Sequence, residues 1–164
     1  MTMKRILKRI FLCSAVILPL AGTAKADGIE MGWNAFMSGD YATAIGEWRP
    51  LAEKGDDRAQ VFMATIYNTG SGVPRDPAAG ARWLATAADQ GNAQAQFGLG
   101  FAYSKGQGVP KDRVLAHMWF SLAAASGHAR AADGRDRAAK RMTPAEIEKS
   151  RDLARRWTAR HGKR

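Results

Sequence analysis

Three histidines, His117, His128 and His161, are the residues of this sequence best suited to proton transfer or metal ligation. They lack the close helical spacing and the acidic companions that a metal site needs, so packing and surface roles are expected for them. Two Gly-x-Gly steps, Gly70-x-Gly72 and Gly106-x-Gly108, have the composition of a phosphate cradle. Each runs into Val-Pro instead of Lys-Ser/Thr, which makes helix connection the expected role. Five tryptophans could serve as stacking platforms for sugars or bases. Their recurrence at a fixed interval favours core filling, with Trp33 and Trp157, near the two ends, left open to another role. The sequence therefore names no catalytic, cofactor-binding or metal-binding residue, and no cofactor is expected.

The elements that position these residues follow from an internal period. Aligning residues 56–91 with 92–127 without a gap gives 12 identities in 36 positions, where ordinary composition would supply about two. The identical pairs are Ala59/Ala95, Gln60/Gln96, Tyr67/Tyr103, Gly70/Gly106, Gly72/Gly108, Val73/Val109, Pro74/Pro110, Asp76/Asp112, Trp83/Trp119, Ala87/Ala123, Ala88/Ala124 and Gly91/Gly127. Small residues, aromatics and turn formers dominate, so the pattern is one of packing. Ala59, Met63, Ile66 and Tyr67 share a face at helical spacing and predict a first helix, as do Ala95, Leu99, Ala102 and Tyr103. Gly-x-Gly-Val-Pro ends that helix, and Asp76 or Asp112 caps a second one, with Pro77 suited to its first turn. Gly91 and Gly127 are expected to close the second helix in a left-handed conformation.

The same grammar continues in degraded form at both ends, as the end units of an array should. Upstream, Ile29 to Ser38 predicts a short helix, Asp40 a cap, and Tyr41 to Lys54 a helix carrying Trp48, Leu51 and Ala52. Downstream, a helix is expected over His128 to Arg141, followed by a capping box at Thr143-Pro144-Ala145-Glu146 and a closing helix to Arg160 bearing Ile147, Leu153 and Trp157. The expectation is an all-α, right-handed solenoid of about four antiparallel helix pairs. It divides into an N-terminal unit at 28–55, repeats at 56–91 and 92–127, and a basic C-terminal unit at 128–164.

Residues 1–26 read as a cleaved secretory signal. Lys4, Arg5, Lys8 and Arg9 precede an apolar stretch from Ile10 to Gly22, and Ala24-Lys25-Ala26 supplies the cleavage pattern before Asp27. The only cysteine, Cys13, lies in this segment, which removes disulfide, thiolate-metal and cysteine-nucleophile chemistry from the expected mature chain. A periplasmic or secreted protein is expected, with no stable membrane insertion after cleavage. Of the formal charge of +10, five positive charges belong to the signal. Residues 27–127 hold 8 basic and 10 acidic residues, whereas 128–164 hold 12 basic and 5 acidic. An exported protein does not ordinarily meet nucleic acid, so none is expected as a partner; acidic proteins or an acidic envelope surface fit the basic end.

The run Ala-x-x-x-(Leu/Met)-x-x-x-Tyr-x-x-Gly-x-Gly-Val-Pro-x-Asp, then Trp-x-x-x-Ala-Ala-x-x-Gly, resembles the Sel-one-like repeat family, a relative of tetratricopeptide repeats, across residues 56–127. That family's pattern places alanine three residues before the tryptophan; Ala116 fits and Gly80 departs, predicting looser packing in the first full repeat. The resemblance implies a superhelical adaptor, and exported bacterial members are associated with envelope signalling, cell-surface interactions or host contact. A cysteine-rich branch binds or hydrolyses β-lactams through disulfide-tied helices. The absence of mature cysteine and of any Ser-x-x-Lys motif here keeps that trait from being carried over.

These readings converge on a non-catalytic exported module that binds another protein or peptide. The alternatives are a hydrolase of the helical-repeat type acting on β-lactam or cell-wall substrates, and a binder of anionic envelope polymers through the basic end. Phe97 and Phe101, four apart, are either peptide anchors or inter-repeat packing, and Asn68 and Ser104 continue their stripe. The candidate partner-binding residues are Thr65, Asn68, Phe101 and Ser104 on the groove, with Arg151, Arg155 and Arg156 on the closing helix. The three arginines are read either as a docking surface or as a solvated helix face.

Overall fold

The computed structural model describes residues 21–161, with side chains from Asp27 onward. The basic and apolar parts of the expected signal, up to residue 20, lie outside the described residues. Eight helices fill the described chain: α1 (Ala21–Met37), α2 (Tyr41–Glu53), α3 (Asp57–Thr69), α4 (Pro77–Asp89), α5 (Ala93–Lys105), α6 (Arg113–Ala125), α7 (Ala131–Ala139) and α8 (Pro144–His161). The architecture is all-α, with α1/α2, α3/α4 and α5/α6 packed as successive pairs; α7 and α8 both lie against α6.

Local chemistry sets each boundary. The side chains of Asp40, Asp56, Asp76, Asn92 and Asp112 accept from backbone N–H groups in the first turns of α2 to α6, satisfying donors that a helix start leaves open. Gly70 and Gly106 take the left-handed conformation at the ends of α3 and α5, with φ 76° and 72°. Thr143 and Glu146 form the expected reciprocal capping box at the start of α8. Two boundaries differ from expectation. Helix α1 starts at Ala21, not Ile29. Helix α7 starts at Ala131 because His128, at the position where Asp56 and Asn92 cap, supplies no capping acceptor; Arg130 ends up at the cap without a side-chain bond.

The glycine pairs have separate tasks. Gly72 and Gly108 both have positive φ, and each also lies against the first turn of the preceding unit's second helix. A Cβ on Gly108 would overlap the Pro77 carbonyl oxygen, and one on Gly72 would fall 2.7 Å from Tyr41 Cβ. The connection thus docks one unit on the one before it. Gly98 and Gly134, one period apart, leave room for Leu84 and Phe120 respectively.

Gln60 and Gln96 are fully buried and make equivalent bonds one period apart. Gln60 donates to Ala52 O and accepts from Gln90 Nε2; Gln96 donates to Ala88 O and accepts from Ser126 Oγ. Each glutamine therefore satisfies a carbonyl at the end of the preceding helix while tying in the end of the following one, groups that are costly to bury unpaired.

Two apolar clusters run along the array. One contains Ile29, Trp48, Met63 and Ile66, the other Leu84, Leu99, Met118, Trp119 and Leu122, and Trp83 packs against both. Trp48 and Trp119 are buried at 1% and 9% exposure, while Trp83 is half-buried. At the ends, Trp157 packs edge-on against Trp119 and donates to Asp89, whereas Trp33 is largely exposed beside Phe62. The looseness expected at Gly80 is not found. A Cβ there would meet Asn68 Oδ1 at 2.5 Å, so the glycine accommodates the larger Asn68, just as Ala116 accompanies the smaller Ser104 one period on.

Candidate functional site

Two adjoining recesses open between the helices. The first, about 300 Å³, lies among α3, α4 and α5 and is lined by Val61, Thr65, Asn68, Leu84, Gln94, Phe97 and Gln107, among others. The second, about 580 Å³, lies among α5, α6 and α7; Phe101 lines both and joins them into one groove. None of the twelve identical residue pairs contributes a residue to either recess. Positions shared by the repeats build the scaffold, and positions that differ face the groove.

The structure brings Thr65, Asn68 and Phe101 together on the first recess and places Ser104 beside Phe101 on the second. Thr65 and Ser104 bond back to their own helices, at Val61 O and Phe101 O, while 46% of the Phe101 surface is exposed. The two phenylalanines, both on the lining of the first recess, differ in their surroundings. Phe97 stacks on His128 at 4.1 Å and contacts Phe120 at 5.5 Å, so it packs between units, whereas Phe101 projects into the groove.

Arg151, Arg155 and Arg156 lie apart from the groove on the exposed side of α8. There Arg155 pairs with Glu148 at 3.0 Å and Asp152 at 3.5 Å, Arg156 with Asp152 at 2.6 Å, and Arg151 with Glu148 at 4.0 Å. The groove cations, including Arg137, Lys140 and Arg141, were missed by residue-level reading. Their spacing of three and four residues, which places them on one helical face, was the available signal.

Among the described residues, one side-chain pair resembles a nucleophile and its base: Ser150 with His117, whose Nδ1 lies 2.7 Å from Ser150 Oγ. Ser150 is wholly enclosed and His117 is 5% exposed, so a substrate has no approach and the pair serves to fasten α8 to α6. Burial lowers the pKa of His117 below 6.5, reinforced by the Arg135 and Arg151 charges and opposed by Asp136. The unfolded chain therefore binds this proton at a higher pH than the folded one. The stabilisation is complete above about pH 6.5 and declines as pH falls from there toward the folded value. Urea melts at about pH 7.5 and 5.5 should show lower stability at the acidic pH, and His117→Gln should narrow the difference. A difference of the same size in the variant would assign it to other groups. Among the described residues, no three His, Cys, Asp or Glu side chains are grouped to hold a metal, and no helix is long and apolar enough to cross a membrane.

Residues 57–92 and 93–128 each match the Sel1 repeat, one residue out of step with the identity alignment. The protein carries two Sel1 repeats. Its helical array is similar to the crystal structure of c5321, a protective antigen present in uropathogenic Escherichia coli strains displaying an SLR fold. The TM-score is 0.79 at 26% identity, covering 84% of this chain and 30% of that one. It is also similar to a Sel1 repeat protein from Oxalobacter formigenes, with TM-score 0.63 and 32% identity over 71% of this chain and 36% of that one. The chain thus spans about a third of the length of these solved relatives. No curated protein matches it significantly. Sel1 repeats are typically protein-interaction modules and are generally non-catalytic scaffolds.

Proposed function

We propose that the protein is an exported, non-catalytic adaptor whose groove binds a segment of another protein. The observation that carries this reading is the division between the two sets of residues: everything the repeats share is spent on packing, and what they do not share lines an open, partly aromatic groove. Thr65, Asn68 and Phe101 supply hydrogen-bonding groups and an apolar contact at the centre of that surface, the mixture from which protein interfaces are built. The reading of export rests on the basic and apolar N-terminal segment and Ala24-Lys25-Ala26. Cleavage after Ala26 would leave Asp27 in the first turn of α1, where a carboxylate is favourable.

Cross-linking and affinity capture from envelope fractions test the proposal, with the intact mass of the recovered protein reporting cleavage. A bound protein should be retained by the native protein and by an R151E/R155E/R156E variant, and lost with a Thr65→Arg, Phe101→Asp variant that melts normally. Retention of the same proteins by the groove variant would remove the groove from the function.

A further inference from the structure

The second recess differs from the first in charge. Six cationic side chains, Lys105, Lys111, Arg113, Arg137, Lys140 and Arg141, line it, and no acidic residue does. Among the described residues only one of the six, Arg113, has a carboxylate within ion-pair distance, Glu146 at 3.9 Å. By contrast, Arg151, Arg155 and Arg156 face carboxylates on their own helix. Five cations without an ion-pair partner among the described residues are therefore gathered around one recess. Its floor is apolar: the Phe120 ring, held between Gly100 and Gly134, lies beside Ala116 and Ala138, and Phe101 stands at the rim with the Lys105 ammonium 5.9 Å from its centroid.

Chain topology explains why this recess stays open. In the first two junctions a Gly-x-Gly-Val-Pro connection covers the start of the preceding unit's second helix. One period after Gly108 stands Pro144, with only a short turn before it, so no such connection covers Arg113. Arg113 instead reaches the Arg141 carbonyl oxygen at 2.8 Å, which holds the rim in place.

We propose that this recess binds an acidic segment of a partner protein that seats one large apolar side chain between Phe101 and the Phe120 floor. The inference rests on the adaptor reading and adds the partner's chemistry and polarity. Carboxylates on both sides of the apolar anchor meet the lysine and arginine rim, and the segment's continuation lies over the first recess, whose polar lining residues Thr65, Asn68, Gln94 and Gln107 are uncharged. An anionic polysaccharide or polyphosphate fits less well, because it brings nothing apolar for the floor.

A fluorescein-labelled peptide of sequence Glu-Glu-Phe-Glu-Glu-Leu-Glu-Glu, titrated by anisotropy against the protein, tests this directly. Binding should weaken as salt rises, and it should fall by about tenfold or more in each of three cases: all-Gln replacement of the glutamates, Phe-to-Ser replacement in the peptide, and K111E/R137E/K140E in the protein. These three protein side chains are exposed, and circular dichroism melts are the check that the variant folds. Reversal of Arg151, Arg155 and Arg156 should change affinity by less than about twofold. Unaltered binding in the K111E/R137E/K140E variant, or equal loss on reversing the α8 arginines, would overturn the assignment. Indifference to the peptide's phenylalanine together with competition by heparin would replace the peptide by an anionic polymer. If this probe fails while envelope partners are still captured in a Phe101-dependent way, only the acidic specificity falls; if that capture also ignores Phe101, the adaptor reading falls with it.

Discussion

Replacing Trp48 by alanine should lower the free energy of unfolding by about 3–5 kcal/mol, the range for truncating a buried tryptophan. The indole is 1% exposed, stacks on Phe62 with centroids 4.5 Å apart, contacts Phe36 at 5.7 Å, and donates through Nε1 to Ile29 O. Its position is fixed from the other side by Gly32, where a Cβ would overlap the ring. The substitution therefore opens a cavity where α1, α2 and α3 meet and removes the indole's bond to the α1 backbone. Trp83→Ala, at the half-buried position between the two clusters, should cost less. Urea unfolding followed by circular dichroism decides the matter. A loss below about 0.5 kcal/mol at Trp48 would mean that the first pair does not pack as described.

The second large effect is expected at Gly108. Alanine there meets two penalties at once: a left-handed backbone, costing about 1–2 kcal/mol, and overlap with the Pro77 carbonyl, adding about 1–3 kcal/mol because a backbone atom cannot swing aside. Gly127→Ala separates the two. Its φ is also positive, at 86°, but nothing lies within 4 Å of the added methyl group, so only the conformational part remains. Thermal melts of the two variants should differ in that order, and equal destabilisation would show that the connection does not rest on α4.

What the sequence made legible was whatever repeats with the period. Asp76 and Asp112, the Gly-x-Gly steps and the paired helices could be placed because each acts within a few residues of itself or recurs 36 positions later. What could not be placed depends on a partner distant in sequence. Gly80 reads as a departure until Asn68 is found against it, and Ser150 reads as an ordinary polar residue of an amphipathic helix until His117 is found 2.7 Å away. The late start of α7 was readable in principle, since histidine is a poor substitute for Asp or Asn at a cap. For the groove, Thr65, Asn68, Phe101 and Ser104 could be named from one stripe position repeated on α3 and α5. The spacing of Arg137, Lys140 and Arg141 marks only half of the second recess's cations, and no sequence pattern joins them to Lys105, Lys111 and Arg113 on α5, α6 and the connection between them.

Helix α8 has a consequence for how the molecule comes apart. An ideal array of repeats has coupling only between neighbours, so it can fray one unit at a time from either end. Here Trp157 reaches back to Asp89 of α4 and packs on Trp119 of α6, while Ser150 holds His117. The closing helix thus ties α4 and α6 together across two units, whereas α1 and α2 are joined to the rest mainly through α3, the connection after it and Trp83. Fraying is therefore expected first at α1 and α2, the end away from the basic recess.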